Sequence, residues 1–325
     1  MFRTEIFLPP SQFKITHQSN ILTIGSCFAD VIGGLLKTSK FNVARNPLGI
    51  TFNPVSIFNL LCNIDSLLNE KNFIERDGSW YNYNFHSSFT ADTKNELKYK
   101  LYNLLHTIQN NLLNHDVIII TLGTAWAYQT NDSGLIVANC HKVPAKHFTK
   151  NLLSVEQICS GFESFYDKIT GLNPNVRIIL TVSPVRHIKD TLPLNNVSKS
   201  VLRLASYLIS ENFLNVIYFP SFEIVMDDLR DYRFYKEDMI HPNEVAEKYI
   251  WQKFTEAYME NRTRTTLDKI QEIITAIHHR PFNPGSTAYK QFLLQTLAKA
   301  KELSHDIDFS EEIELLQNRI VSING

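Results

Sequence analysis

Residues 21–30 of this chain combine a buried strand, a tight turn and the start of a helix. The run Ile-Leu-Thr-Ile is apolar, and Gly25 after it can adopt backbone angles that other residues avoid. Apolar side chains then recur at helical spacing, at Phe28, Val31, Ile32, Leu35 and Leu36. The stretch therefore predicts a nucleophile turn, in which Ser26 and Cys27 lie at the carboxyl end of a strand and at a helix N-terminus. An ordinary first strand and helix is the competing interpretation.

Short apolar strands alternate with amphipathic helices up to about residue 261, which predicts a three-layer α/β/α domain with a mostly parallel sheet. Strands are expected near residues 41–45, 116–122, 176–182 and 216–220, with hairpin insertions at 73–90 and 126–143. Val201, Leu204, Ala205 and Leu208 predict the buried face of one helix. Residues 262–325 show two or three helical patterns and no strand pattern. We therefore expect an α/β domain over residues 1–261 and a helical extension over residues 262–325 that packs on it.

Composition restricts the kind of partner that this chain binds. The 325 residues include 32 basic and 33 acidic side chains, a balance that gives no electrostatic basis for binding nucleic acid or a membrane surface. The N-terminal residues lack a secretory signal pattern, and no apolar run approaches the length of a membrane span. A cytoplasmic protein is expected.

The cysteines and histidines do not predict a metal site or a disulfide framework. Cys27, Cys62, Cys140 and Cys159 form no Cys-x-x-Cys pair, and the eleven histidines show no metal-binding spacing. We expect no metal and no cofactor. His86 lies between aromatic residues and is a candidate for lining a pocket, with a hydrogen-bonded structural role as the alternative.

A second chemical pattern lies after the last predicted strand, where Asp238-Met239-Ile240-His241 forms an Asp-x-x-His sequence. At this spacing a carboxylate can accept the proton on one imidazole nitrogen and leave the other nitrogen as a base. The pattern alone is common by chance. It becomes informative because the first strand of the same predicted sheet ends in a nucleophile turn.

The chain resembles the GSCFA family, through Gly25-Ser26-Cys27-Phe28-Ala29 and through further motifs such as Asn46-Pro47-Leu48-Gly49 and Ser183-Pro184-Val185-Arg186. This family is grouped with the SGNH (GDSL-type) hydrolases. The resemblance implies a flavodoxin-like sandwich that hydrolyses esters, often acetyl or other acyl groups on sugars or lipids.

The resemblance also implies roles for individual residues. Asp238 and His241 match the superfamily's Asp-x-x-His block, and Gly49 matches the glycine whose amide joins the oxyanion hole. An ungapped comparison of the first block makes Cys27 the nucleophile, whereas a one-residue gap makes it Ser26. We favour Cys27, because a deletion inside a tight turn would redirect the following helix.

The oxyanion hole departs from the superfamily pattern at Gly123-Thr124-Ala125-Trp126, where the superfamily has Gly-x-Asn-Asp. Ala125 carries no side-chain donor at the asparagine position, and losing one such donor typically slows catalysis by about 100- to 1000-fold. Thr124, Asn46 or backbone amides are candidates to compensate, and Gly123 belongs to the same block.

We therefore expect hydrolysis of an acyl ester or thioester by Cys27 or Ser26 with His241 and Asp238, on a small-molecule or saccharide substrate. An acyltransferase that uses the same covalent intermediate and a non-catalytic carbohydrate-binding protein are the alternatives. Arg186 is a candidate contact for an anionic substrate group, with surface solvation as its alternative role. The sequence leaves the oligomeric state open.

Overall fold

The computed structural model describes residues 3–323 and is built around a central β-sheet. The strands are β1 (Asn20–Gly25), β2 (Asn42–Arg45), β3 (Phe73–Arg76), β4 (Ser79–Asn82), β5 (Val117–Leu122), β6 (Trp126–Thr130), β7 (Ile136–Val137), β8 (Phe148–Leu152), β9 (Arg177–Val182) and β10 (Val216–Phe219). The helices are α1 (Cys27–Thr38), α2 (Pro54–Cys62), α3 (Ile64–Leu67), α4 (Lys94–Leu112), α5 (Val155–Leu172), α6 (Leu192–Asn212), α7 (Ser221–Glu223), α8 (Glu244–Tyr258), α9 (Asn261–His278), α10 (Thr287–Leu303) and α11 (Ser310–Ser322).

The central sheet has five parallel strands in the order β2-β1-β5-β9-β10. Counting only these strands along the chain, the order is 2-1-3-4-5, which is the flavodoxin-like arrangement. The strand order reverses between β1 and β5, and open α/β sheets bind their ligands outside the carboxyl ends of the strands at such a point. The predicted three-layer α/β/α class is confirmed.

Side chains of the central strands alternate between two hydrophobic layers. Leu22 and Ile118 pack with α2, α4, α5 and α6 on one face of the sheet. Ile21 and Ile119 pack with α1 and α8 on the other face. Because both faces are covered, the inner strands are largely apolar, which explains the continuous β-branched run in β5.

Two smaller sheets lie outside the central one. β3 and β4 form the predicted hairpin, whose turn has positive φ at Asp77 (51°) and Gly78 (77°). The second insertion was expected to be a hairpin, but it is a three-stranded sheet in the order β7-β6-β8. Its third strand, β8, pairs antiparallel with β6 from Trp126 to Thr130. The residues that form β8 are largely exposed, so their apolar signal is weak.

The buried face of α6 agrees only in part with the predicted one. Leu204 is 51% exposed, whereas Leu202, Ala205 and Ile209 are buried. The buried stripe continues towards the helix N-terminus through a lysine, Lys199. Ala205 is buried as predicted and Val201 packs against the core, but the buried stripe is displaced by about one residue from the predicted one, because apolar side chains such as Leu204 lie on the outer face.

Helices α9, α10 and α11 form a hydrophobic cluster of their own, which includes Ile270, Leu293 and Leu316. Lys40, which follows α1, forms an ion pair with Glu312 of α11 at 2.6 Å. A domain boundary at residues 261/262 stays a prediction. Among the described residues, no helix combines the length and apolar character needed to cross a membrane.

Candidate active site

The turn between β1 and α1 brings Cys27 to the first position of α1. Gly25 has a φ of +130°, and a Cβ atom added there would lie 2.2 Å from the backbone oxygen of Thr121 in β5. A side chain is therefore excluded at residue 25, because the neighbouring strand passes too close. The amide of Ser26 donates a hydrogen bond to the same oxygen at 3.0 Å. These contacts fix the point at which the chain leaves β1, and with it the position of the Cys27 thiol.

Ser26 and Cys27, the two alternative nucleophiles, have different surroundings. Ser26 is 1% exposed, and its Oγ has no hydrogen-bond partner among residues 3–323. Cys27 is partly exposed, and its Sγ lies 3.8 Å from Nε2 of His241. The structure thus brings the imidazole to the thiol and leaves the serine hydroxyl buried.

Asp238 orients the imidazole of His241. Oδ2 of Asp238 accepts a hydrogen bond from Nδ1 of His241 at 2.7 Å. Its other oxygen accepts from the amides of His241 at 3.0 Å and Ile240 at 2.8 Å, and these hydrogen bonds lower the pKa of Asp238 to about 2. An ionised carboxylate keeps the proton on Nδ1, so that Nε2 faces Cys27 as an acceptor.

Arg186 braces the loop that carries this pair. Its guanidinium lies over the ring of Tyr235, 4.1 Å from the ring centroid, and donates to the backbone oxygen of Met239 at 3.3 Å. The Arg186 amide donates to the oxygen of Ile240 at 3.4 Å. These contacts assign Arg186 a structural connection to the His241 loop, and its expected contact with a substrate stays a prediction.

The first two oxyanion candidates make hydrogen bonds within the protein. The amide of Gly49 donates to the backbone oxygen of Asn46 at 2.9 Å, and Gly49 has a φ of +75°. Oδ1 of Asn46 accepts from the Gly25 amide at 3.1 Å. Asn46 therefore holds the nucleophile turn in place from the end of β2. His86 lies against Gly49, where a Cβ atom would come within 2.7 Å of the His86 Cβ.

The other two candidates follow β5 and are also engaged. The amides of Gly123 and Thr124 both donate to the backbone oxygen of Phe52, at 2.9 and 3.1 Å. The Thr124 hydroxyl is hydrogen-bonded to Oγ of Ser198 at 2.9 Å and accepts from the Trp126 amide at 3.1 Å. Their proposed roles in an oxyanion hole would thus require these contacts to rearrange when a substrate binds.

Lys199 is a site residue that the sequence analysis missed. It is 1% exposed, and its Nζ donates to the backbone oxygens of Gly123 at 2.7 Å and Ser183 at 2.6 Å, just beyond the ends of β5 and β9. Burial lowers the pKa of Lys199 to about 7. The available signal was a lysine three residues before Leu202 on the buried stripe of α6, but the prediction had placed that stripe about one residue away, through Val201 and Leu204.

Opposing effects act on the Cys27 thiol. Burial raises its pKa, whereas the charge of Lys199 and the amides of Cys27 and Phe28 at the start of α1 favour the thiolate.

His187 also lies at the carboxyl ends of the strands, beyond β9, with its ring 5.3 Å from that of Phe52. Burial, with the nearby charges of Lys199 and His241, lowers the pKa of His187 to about 3, so this imidazole is neutral.

The other cysteines have environments that suppress reactivity. Burial raises the pKa of Cys62 to about 12 and that of Cys140 to about 11. His141, beside Cys140, hydrogen-bonds through Nε2 to the backbone oxygen of Asn82 at 2.8 Å and serves the structure. Within residues 3–323 no group of three or more His, Cys, Asp or Glu side chains is arranged to hold a metal ion.

Comparison with known proteins identifies the family of this chain. A family model described as the GSCFA family matches residues 20–254, from β1 to α8. The chain belongs to the GSCFA family. A second model, described as the C-terminal domain of GSCFA domain proteins, matches residues 270–322, which lie in α9 to α11. No curated protein matches the chain.

Several solved structures are distantly similar to this GSCFA protein. A candidate platelet activating factor from Streptococcus pneumonia is 15% identical with a TM-score of 0.37, over 73% of this chain and 83% of that one. A carbohydrate esterase of family 3 from Talaromyces cellulolyticus is 8% identical with a TM-score of 0.35, over 78% and 99%. An acetyl xylan esterase from Butyrivibrio proteoclasticus is 12% identical with a TM-score of 0.34, over 79% and 65%.

Proposed function

We propose that this GSCFA protein is an SGNH-type hydrolase that cleaves an acyl ester or thioester through a covalent Cys27 intermediate. One observation carries the proposal: Sγ of Cys27 lies 3.8 Å from Nε2 of His241, whose Nδ1 donates to Asp238 at 2.7 Å. A nucleophile, a base and a carboxylate that orients the base are thus connected in series. Cys27 follows β1, beside the point where the strand order reverses, and Asp238 and His241 reach it from the loop between β10 and α8.

The first half of the reaction forms the acyl-enzyme. Because burial raises the pKa of Cys27, the resting thiol keeps its proton, and His241 Nε2 removes that proton as Sγ attacks the carbonyl carbon. The carbonyl oxygen becomes negatively charged. The tetrahedral intermediate collapses, the bond to the alcohol or thiol leaving group breaks, and His241 returns the proton to that group.

The second half of the reaction regenerates the thiol. A water molecule gives a proton to His241 and attacks the thioester carbonyl of the acyl-enzyme. The C–S bond then breaks, the carboxylic acid leaves, and the proton on His241 returns to Sγ. Asp238 stays ionised throughout and keeps Nε2 directed at the reacting atoms.

The backbone amides at the start of α1 are the proposed oxyanion donors. The amides of Cys27 and Phe28 stabilise negative charge near the thiol, and the N-terminal end of the helix dipole adds to this effect. Gly49 and Thr124 would contribute once their amide or hydroxyl is released from its partner in the protein.

Trapping of the acyl-enzyme tests this function. The intact mass is measured after brief exposure to p-nitrophenyl acetate or a short-chain thioester. We expect one acyl adduct in the parent protein and in Cys159→Ala, which removes a partly buried thiol of α5. The adduct should be absent from Cys27→Ala and His241→Ala. An adduct that persists in Cys27→Ala, or no adduct and no turnover with several acyl donors, would contradict the proposal.

A further inference from the structure

Lys199 is a buried charged group that the acyl-transfer steps do not use. It lies on the buried face of α6, and its side chain extends to the carboxyl ends of the central strands, where Cys27 also lies. Burying a lysine in an apolar interior is costly, because the ammonium group loses its hydration. Retaining one between the ends of two central strands needs a physical reason.

The contacts of Lys199 place it close to the nucleophile turn. Its Nζ donates to the oxygen of Gly123 at 2.7 Å. A Cβ atom added at Gly123 would lie 3.1 Å from the Cβ of Ser26, the residue before Cys27. The ammonium group is therefore separated from the nucleophile turn by little more than one backbone segment.

Its second contact joins the neighbouring strand. The oxygen of Ser183, which follows β9, accepts from the same Nζ at 2.6 Å. Two carbonyl oxygens thus hold the ammonium group at a fixed place between β5 and β9. A charge held by buried partners acts in a low-dielectric environment and is weakly screened by salt.

We propose that Lys199 is a positioning residue that joins the ends of β5 and β9 and stabilises negative charge on the sulfur of Cys27. The proposal deepens the proposed function, because acyl transfer requires the thiol to become negatively charged as it attacks. It also offers a physical compensation for Ala125, which lacks the side-chain donor expected at its position.

Other charged groups near the thiol also determine how the stabilisation of the Cys27 thiolate by Lys199 depends on pH. His241 approaches Cys27 from the loop before α8, and Asp30 of α1 acts in the opposite direction to Lys199. His187 is neutral above about pH 3. Lys199 loses its charge as the pH rises through about 7, so its support of the thiolate is strongest below that pH.

Alkylation of Cys27 by iodoacetamide tests the proposal without an acyl substrate. The rate is measured against pH in Lys199→Met and Lys199→Gln, of which the second keeps a hydrogen-bond donor but no charge. At about pH 6.5 we expect both variants to react about tenfold more slowly than the parent, which corresponds to about one pKa unit for the thiol. The difference should narrow above about pH 7, where the parent also loses the charge.

Lys253→Met is the matched control, since Lys253 is also largely buried but pairs with Glu5. Equal rates in the parent and in a folded Lys199 variant, a difference that does not change with pH, or an equal loss in Lys253→Met would overturn the proposal. If no acyl-enzyme is trapped but the Lys199 variants are alkylated more slowly as expected, the result would count against the proposed function alone.

A second measurement keeps Lys199 in place, in case its variants do not fold. Cys27 is converted to its thiocyanate in a His241→Gln protein, and the nitrile stretching frequency is followed by infrared spectroscopy. We expect an inflection near pH 7 as the charge of Lys199 disappears. A frequency that stays constant through this range would refute the electrostatic role.

Discussion

Replacing Ser26 by alanine separates the two possible nucleophiles and has a calculable effect on stability. The Ser26 hydroxyl is buried, and Oγ has no hydrogen-bond partner among the described residues. Leaving a buried hydroxyl unpaired costs about 1–3 kcal/mol. Removing one oxygen atom leaves a small void, which costs about 0.5 kcal/mol by the usual dependence on cavity volume. We therefore expect Ser26→Ala to be about 1 kcal/mol more stable than the parent and to keep its acyl adduct.

Urea unfolding followed by circular dichroism measures the stability, and intact mass measures the adduct. Ser198→Ala is the control, because that buried hydroxyl is hydrogen-bonded to Thr124 at 2.9 Å and accepts from the Ala125 amide at 2.7 Å. We expect it to lower the free energy of unfolding by about 1–2 kcal/mol. A folded Ser26→Ala protein without an adduct would make Ser26 the nucleophile, and a loss of stability like that of Ser198→Ala would show that its hydroxyl is paired.

Four further predictions concern the turn before α1, the carboxylate of Asp238, the loop that carries His241, and the dependence of stability on pH. Gly25→Ala should lower the free energy of unfolding, measured in urea, by about 3 kcal/mol or more, because its Cβ would lie 2.2 Å from the backbone oxygen of a neighbouring strand. Gly78→Ala is the control: nothing lies within 4 Å of the added Cβ, so the free energy of unfolding should fall by only about 1 kcal/mol. Asp238→Asn should slow acylation by p-nitrophenyl acetate by about 10⁴-fold, because an amide no longer selects the reactive tautomer, and a loss below tenfold would argue against an orienting carboxylate. Arg186→Met should lower kcat by about 10- to 100-fold with little change in KM, because the loop that carries His241 would shift. A rise in KM alone would instead indicate that Arg186 contacts the substrate. The folded-state pKa of His187 is about 3, so the unfolded state binds more protons than the folded state between about pH 3 and 6.5. In urea unfolding, the parent should therefore lose stability relative to His187→Asn as the pH falls through that range. Curves of unfolding free energy against pH that run parallel for the two proteins would contradict this.

The sequence was most informative where the determining contacts are local. The turn from Gly25 to Cys27 follows from a strand, a glycine and a helix within ten residues, and Asp238 reaches His241 across a spacing of three. The three-layer class follows from the alternation of strands and helices. In each case the relevant residues are neighbours in the chain, so the pattern records the structure directly.

Contacts between distant segments were harder to predict. The backbone oxygen of Phe52 accepts from the amides of Gly123 and Thr124 about 70 residues later, and no side-chain pattern records such a pairing of backbone groups. Lys199 was missed because Leu204 and other apolar residues lie on the outer face of α6 and obscure the helix register. An exposed apolar side chain is unremarkable on a protein surface, whereas a lysine on the buried face is informative only when that face is known.

The proposed thiol nucleophile would suit a site whose oxyanion donors are few. A serine hydroxyl must be deprotonated as it attacks, and much of that cost is recovered from donors that hold the oxyanion. A thiol has a far lower intrinsic pKa, so less stabilisation is needed to reach the attacking state, especially beside a helix N-terminus. In this protein Ala125 lacks a side-chain donor, and the amides of Gly49 and Gly123 are hydrogen-bonded elsewhere. A serine at residue 27 would therefore face the same few donors with a weaker nucleophile, and Cys27→Ser should form its adduct more slowly than the parent even though His241 is in place.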